Sequence, residues 1–181
     1  MNDLTERKRA ARKAAFARRK SAHARDIGAC AGLLSSVLVG YRGVSLAGYM
    51  PIRTEIDPRP AMAEAAGYGP VGVPVIAAEG HPLRFSKWYP EGALKEGPFG
   101  AKIPIDDDFF EPELVIVPLV ALDRNGRRLA YGGGFYDRPP GMLRAKGPTF
   151  AIWFASSASH ADHLPLSATD HPLDPTLTPQ R

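Results

Sequence analysis

Apolar residues recur in short runs along this chain, separated by clusters of Gly, Pro and charge, and their spacing alternates between helical and extended. Residues 5–21 mix Ala with Lys and Arg and contain neither Gly nor Pro, which predicts a helix. Thr5 and Glu6 suit its start, because a hydroxyl and an acid complement exposed N–H groups. A second helix is expected over residues 24–39, where Ile27, Cys30, Ala31, Leu34, Val37 and Leu38 fall near 3.6 spacing. Short apolar runs then predict strands at 44–49, 71–76 and 83–88, with a short helix at 59–66. Residues 90–112 hold four prolines and no period, and read as a long loop layer. The most apolar run, 114–121, predicts a central strand whose pairing Pro118 should terminate. An Asn-Gly turn follows at 123–126. A helix over 136–145, a strand over 149–154 and a last strand around Leu177 complete the prediction. Strands alternating with helices imply an α/β fold, a single-domain, open, mostly parallel sheet flanked by helices in a Rossmann-like three-layer arrangement. It would occupy residues 1–181, with no internal repeat and no linker.

Composition sharpens this. The 181 residues are 44% hydrophobic and 23% charged, ordinary for a globular protein. One cysteine, Cys30, excludes an internal disulfide and a thiolate zinc site, which points to a reducing compartment and the cytoplasm; its apolar helical setting reads as core packing. The polar start does not resemble a signal peptide, and no apolar run is long enough to cross a bilayer, so no membrane partner is expected. The net charge of +4 is concentrated. Nine Lys/Arg lie in the first 25 residues against two acids, and the remaining residues carry 14 basic and 17 acidic groups. A nucleic-acid binder would spread its positive charge over a folded face and interleave aromatics, so no nucleic-acid partner is expected.

The segment most suggestive of chemistry runs from Glu113 to Arg138. Gly132, Gly133 and Gly134 remove every Cβ from one stretch, letting backbone N–H groups approach a polyphosphate. Arg127 and Arg128 supply cationic donors beside them. Asp137 offers a hard carboxylate for Mg²⁺. Read alone, the glycines are better explained by a flexible turn beside a solvated Arg pair, because short Gly motifs arise often by chance. Glu55 and Asp57 follow a strand end, where ligands of parallel sheets commonly sit. Asp57 before Pro58 reads as a helix cap. Phe85 and Trp88 read as core. His160 with His163, and the acidic run at 106–108, lack the further ligands a metal site needs.

The string from Leu114 through Pro118, Asp123, Gly126 and Arg128-Leu129-Ala130-Tyr131-Gly132-Gly133-Gly134-Phe135-Tyr136-Asp137 resembles the signature of the 5-formyltetrahydrofolate cyclo-ligase family. Likeness extends to Lys8-Arg9-Ala10-Ala11-Arg12, residues 49–57, 85–104 and 170–174. Ala130 stands where a Gly is usual, Phe135 where a Tyr is usual, and Lys102-Ile103 where relatives often carry an acid. The resemblance implies ATP-dependent closure of 5-formyltetrahydrofolate to 5,10-methenyltetrahydrofolate. It assigns ATP contacts to Lys8, Arg9, Ala10, Ala11, Arg12 and the segment from Arg128 to Tyr136. Folate contacts fall to Met50, Glu55 and Tyr136, and Mg²⁺ to Asp137 and Asp170. The catalytic set it implies is Tyr136, Asp137 and Arg128. Arg18, Arg19 and Lys20 are expected to be solvated. Lys87, Lys95 or Lys102 would be placed to meet substrate carboxylates. A monomer or weak dimer is expected. The rivals are another ATP-dependent phosphotransferase on this scaffold, a folate- or nucleotide-binding regulator without turnover, and a nucleic-acid module using the basic helix.

Overall fold

The computed structural model describes residues 3–23, 29–76, 83–125, 128–129, 150–165 and 176–177. Helix α1 (Asp3–His23) opens the chain, with Asp3 and Glu6 in its first turn and Lys20 and His23 in its last, charges that oppose the helix dipole. Helix α2 (Ala29–Leu38) runs into a tight 3₁₀ turn at Val39–Tyr41. Strand β1 (Leu46–Ala47) is much shorter than its apolar run, and helix α3 (Arg59–Ala66) matches its expected bounds. Then come β2 (Val71–Val75), β3 (Arg84–Lys87), β4 (Leu94–Glu96), β5 (Lys102–Pro104), β6 (Phe109–Phe110), β7 (Leu114–Pro118), β8 (Ala121–Asp123), β9 (Arg128–Leu129), β10 (Phe150–Phe154), β11 (His160–Ala161) and β12 (Thr176–Leu177).

Seven strands form the main sheet in the order β12-β10-β7-β1-β2-β3-β6. The β12, β10, β7, β1 and β2 strands pair in parallel, and β3 and β6 add antiparallel. The alternation within the strands explains why the sheet is buried. Leu114, Ile116, Ile152, Phe154 and Leu46 face α2 and α3, packing on Leu34, Leu38, Ala61 and Met62. Val115, Val117, Ala151, Trp153 and Ala47 face the other way, with Phe85, Leu119 and Leu122. A strand with both faces covered reads as a continuous apolar run, which is how β7 appears in the sequence. The helix expected over 136–145 lies outside the described residues.

Two expectations need correction. Residues 90–112 are not a plain loop layer: β4 and β5 pair as a hairpin around a 3₁₀ turn at Pro98–Gly100, and β6 joins the main sheet beside β3. Strands of two or three residues are too short to show a period. The run 114–121 is also two strands. Pro118 ends β7 opposite Phe154, and the chain then leaves for a second sheet of order β11-β8-β9.

Candidate functional site

Strand β1 lies between β2 and β7, so the chain winds outward in both directions from it. In parallel sheets ligands settle in the crevice outside the carboxyl ends of strands at such a switch point. Three segments leave the sheet there: the loop after β1, the β8–β9 hairpin after β7, and the turn after β10.

The loop after β1 is tightly built. Gly48 N–H donates to Gly72 O at 2.8 Å, extending the ladder by one bond. A Cβ on Gly48 would lie 2.4 Å from Met62 Sδ, so its absence lets α3 approach this strand end. Tyr49 and Met50 are buried beside it. The chain then turns at residues 52–55, where Glu55 N–H donates to Ile52 O at 3.1 Å. Arg53 holds φ at 54°, the left-handed region that disfavours a Cβ. Glu55, only 5% exposed, accepts from Ile52 N–H at 2.8 Å through Oε2. The Tyr49 hydroxyl donates to Ile56 O at 2.7 Å. Asp57 accepts from the Arg59 backbone N–H at 2.9 Å and grips the Arg59 guanidinium at 2.8 and 2.7 Å just ahead of α3, whose N-cap position falls to Pro58 and not, as expected, to Asp57. Partial burial pushes the Asp57 carboxyl up, but the side-chain and backbone hydrogen bonds from Arg59 and its charge outweigh this and hold it below the usual carboxylate range.

The hairpin after β7 brings Arg128 opposite Leu122 and Leu129 opposite Ala121. Asp123, 2% exposed, accepts from Asn125 N–H at 2.9 Å and so shapes the turn from within. Helix α1 docks on this second sheet: Ala15 packs with Val120, Ala121, Leu129 and Leu164, flanked by Ala11 and Phe16. It also lies against the 3₁₀ turn Ser157–Ser159 after β10. Helix α1 therefore crosses the carboxyl ends of the sheet.

This docking sorts the basic residues. Lys8, Ala11, Arg12, Ala15 and Arg19 share the inner face, with Lys8 and Arg12 half-buried. Arg9 and Ala10 are on the exposed side, and Arg9 pairs with Glu6 at 2.8 Å. Contrary to expectation, Arg19 is not solvated. It is 3% exposed and donates from Nε to Thr54 O at 3.2 Å, because the loop after β1 folds over that point of the helix. Arg18 is exposed and approaches Ala158 O at 3.4 Å, and Lys20 is exposed. The sequence did carry a signal for Arg19: positions 8, 12, 15 and 19 repeat at helical spacing, but the surrounding charge hides it.

Phe85 and Trp88 are core residues, 1% and 5% exposed. Lys87 pairs with Asp108 at 3.0 Å, and Lys95 donates to Ile105 O at 3.1 Å. No group of three His, Cys, Asp or Glu able to hold a metal occurs among the described residues. The clearest cleft there, about 40 Å³ between Leu38, Tyr41, Arg42, Ala65 and Tyr68, opens at the amino ends of β1 and β7, remote from this assembly. Ala130 to Asp137, Asp170, and the side chains of Cys30 and Arg128, lie outside the described residues. No described helix is long and apolar enough to cross a membrane.

Comparison with known proteins agrees with the fold. The model of the 5-formyltetrahydrofolate cyclo-ligase family matches residues 4–179. A 5-formyltetrahydrofolate cyclo-ligase of Mycolicibacterium smegmatis is 31% identical over 105 residues, 55% of this chain and 53% of the relative. One of Haemophilus influenzae is 32% identical over 98 residues, covering 51% and 52%. The aligned stretches thus span about half the length of these curated relatives. The solution structure of a 5,10-methenyltetrahydrofolate synthetase of Aquifex aeolicus superposes with a TM-score of 0.75 at 24% identity, covering 94% of this chain and 89% of that one. One from Mycoplasma pneumoniae superposes at 0.61 and 21% identity, covering 93% and 96%. At such identities the superpositions speak to the fold.

Proposed function

Because the chain belongs to the 5-formyltetrahydrofolate cyclo-ligase family, we propose that it couples ATP cleavage to ring closure on 5-formyltetrahydrofolate, yielding 5,10-methenyltetrahydrofolate, ADP and phosphate. The formyl oxygen attacks the γ-phosphorus of ATP and ADP leaves. N10 then bonds to the activated carbon and gives up its proton, and the C–O bond breaks to release phosphate. Such chemistry asks mainly for positioning and charge neutralisation.

One observation carries the reading: α1 turns Lys8 and Arg12 inward beside the β8–β9 hairpin, at the same sheet end as the loop holding Met50 and Glu55. Cations and a built carboxylate loop therefore flank one crevice. Lys8 and Arg12 would meet the triphosphate, together with backbone N–H groups of residues 128–136. Arg9 and Ala10, on the far side, would contribute through the helix rather than by contact. Met50 would supply an apolar wall for the pterin, and Glu55 would accept its N–H groups. Tyr136 would line the folate side of the phosphates.

Asp137 and Asp170 are the residues that would hold Mg²⁺, since paired carboxylates are the hard oxygen donors it takes. When bound, the ion would neutralise phosphate oxygens and raise the electrophilicity of the γ-phosphorus. The single domain would act as a monomer or weak dimer in the cytoplasm.

Purified protein given ATP, Mg²⁺ and 5-formyltetrahydrofolate should develop the near-ultraviolet absorbance of the methenyl product, and EDTA should abolish it. A flat trace with intact folate binding would replace this reading with a regulator. ATP consumption without that absorbance would replace it with another phosphotransferase.

A further inference from the structure

Arg19 stands apart from the cations assigned to ATP. It lies on the same face of α1 as Lys8 and Arg12, but is buried to 3% exposure. Its Nε–H donates to Thr54 O at 3.2 Å, across 35 residues of sequence, and its guanidinium lies 5.7 Å from the Phe16 ring centroid. Burying a guanidinium is strongly unfavourable unless its N–H groups are engaged, and the Nε–H bond to Thr54 O supplies one such engagement. Thr54 sits in the turn where Arg53 adopts φ 54° and Glu55 closes on Ile52. A non-glycine residue in that region persists only where its surroundings over-determine it. Tyr49 and Glu55 hold the turn from within, and Arg19 holds it from the helix.

We propose that Arg19 is a positioning residue that fixes the folate-side loop against the helix carrying the ATP cations, so that one rigid element registers both substrates. The inference rests on the reading of Glu55 and Met50 as folate contacts and of Lys8 and Arg12 as phosphate contacts. Its consequence is coupling. A nucleotide that steadies α1 also steadies residues 52–56, so bound nucleotide tightens folate binding, and folate tightens nucleotide binding by the same factor.

The test compares Arg19→Met with Arg19→Lys. The methionine variant should raise the KM for 5-formyltetrahydrofolate about tenfold, the effect of losing one charge-assisted hydrogen bond. Its kcat, and its KM for ATP measured with folate well below saturation, should stay within about twofold, and a non-hydrolysable ATP analogue should no longer tighten folate binding. Lysine, which keeps a cationic donor, should restore most of the folate KM. Amide hydrogen exchange across residues 52–56 should quicken in the methionine variant and not in the lysine variant. An unchanged folate KM, or an equal rise in the KM for ATP measured with folate well below saturation, would overturn the proposal. If the wild-type protein neither binds nor converts the folate, the functional reading fails, and exchange at residues 52–56 still decides whether Arg19 holds the loop. If the methionine variant does not fold, Arg19→Gln takes its place, and a wild-type folate KM there refutes the role.

Discussion

Ser45 and Glu113 clasp the amino ends of β1 and β7 reciprocally. The Ser45 hydroxyl donates to Glu113 Oε2 at 2.9 Å, and the Glu113 backbone N–H donates to Ser45 O at 2.9 Å and approaches Ser45 Oγ at 3.1 Å. The clasp sets the register of the two central parallel strands at the end remote from the crevice. Ser45→Ala should therefore cost about 1 kcal/mol, the usual worth of such a bond, while leaving both KM values unchanged. Urea denaturation beside steady-state kinetics checks this, and a changed KM would contradict the separation of the two ends.

The sorting of α1 makes a sharper forecast. Lys8→Ala and Arg12→Ala should each raise the KM for ATP by about tenfold or more, since each removes a charge-assisted contact to phosphate. Arg9→Ala, whose side chain faces outward onto Glu6, should change it by no more than about twofold. Equal effects from all three would mean that the inner face of the helix does not point at the phosphates.

Gly72 sits where no side chain fits. A Cβ there would lie 2.2 Å from Phe110 Cε1 and 2.6 Å from the backbone oxygen of Ser86, and the second of these belongs to a paired strand that has little room to yield. Gly72→Ala should destabilise by roughly 1–3 kcal/mol through overpacking. Phe110→Ala in that background should recover only part of the loss, because the Ser86 oxygen remains. Thermal melts of the wild type, Gly72→Ala and the double variant give the answer.

Asp57 supplies an acid-sensitive contribution. Its folded-state pKa is lowered, so its stabilisation is complete above the unfolded value of 3.8 and is lost as pH falls through the lower folded value. Asp57→Asn should be less stable than wild type at neutral pH, and the gap should close on acidification below 3.8. Urea midpoints from about pH 2.5 to about pH 7 would show it, a range that runs from roughly one unit below an ordinary carboxylate to about three units above it. A gap independent of pH would remove the charge from the account of the α3 start.

What was legible in the sequence follows from how each feature is encoded. β7 and β10 stood out because both their faces are buried, so every position is apolar. Pro118 marked its own strand end, since a missing N–H is a local property. The hairpin of β4 and β5 left no trace, because three residues cannot display an alternation. Glu55 drew notice by following a strand end, whereas the folate role proposed for Met50 and Glu55 came from the family likeness. Nothing local to residues 49–57 records that Tyr49 bonds Ile56 or that Arg19 reaches Thr54, because those bonds depend on where a helix from the chain's start comes to rest. Arg19 was misread for that reason: the burial of a charge is written in its partner, which lies 35 residues on.

Helix α1 is made well before the segments it docks on. Arg18 meets Ala158 across 140 residues, and Ala15 packs on Leu164. At a synthesis rate of roughly 5–20 residues per second, the ribosome needs on the order of ten seconds to supply the surface that receives it. During that interval the nascent polypeptide trails a bare cationic arm, open to proteases and to stray polyanions. Clipping the arm, or stopping translation short of residue 158, would deprive the second sheet and the turn after β10 of the helix that packs on them.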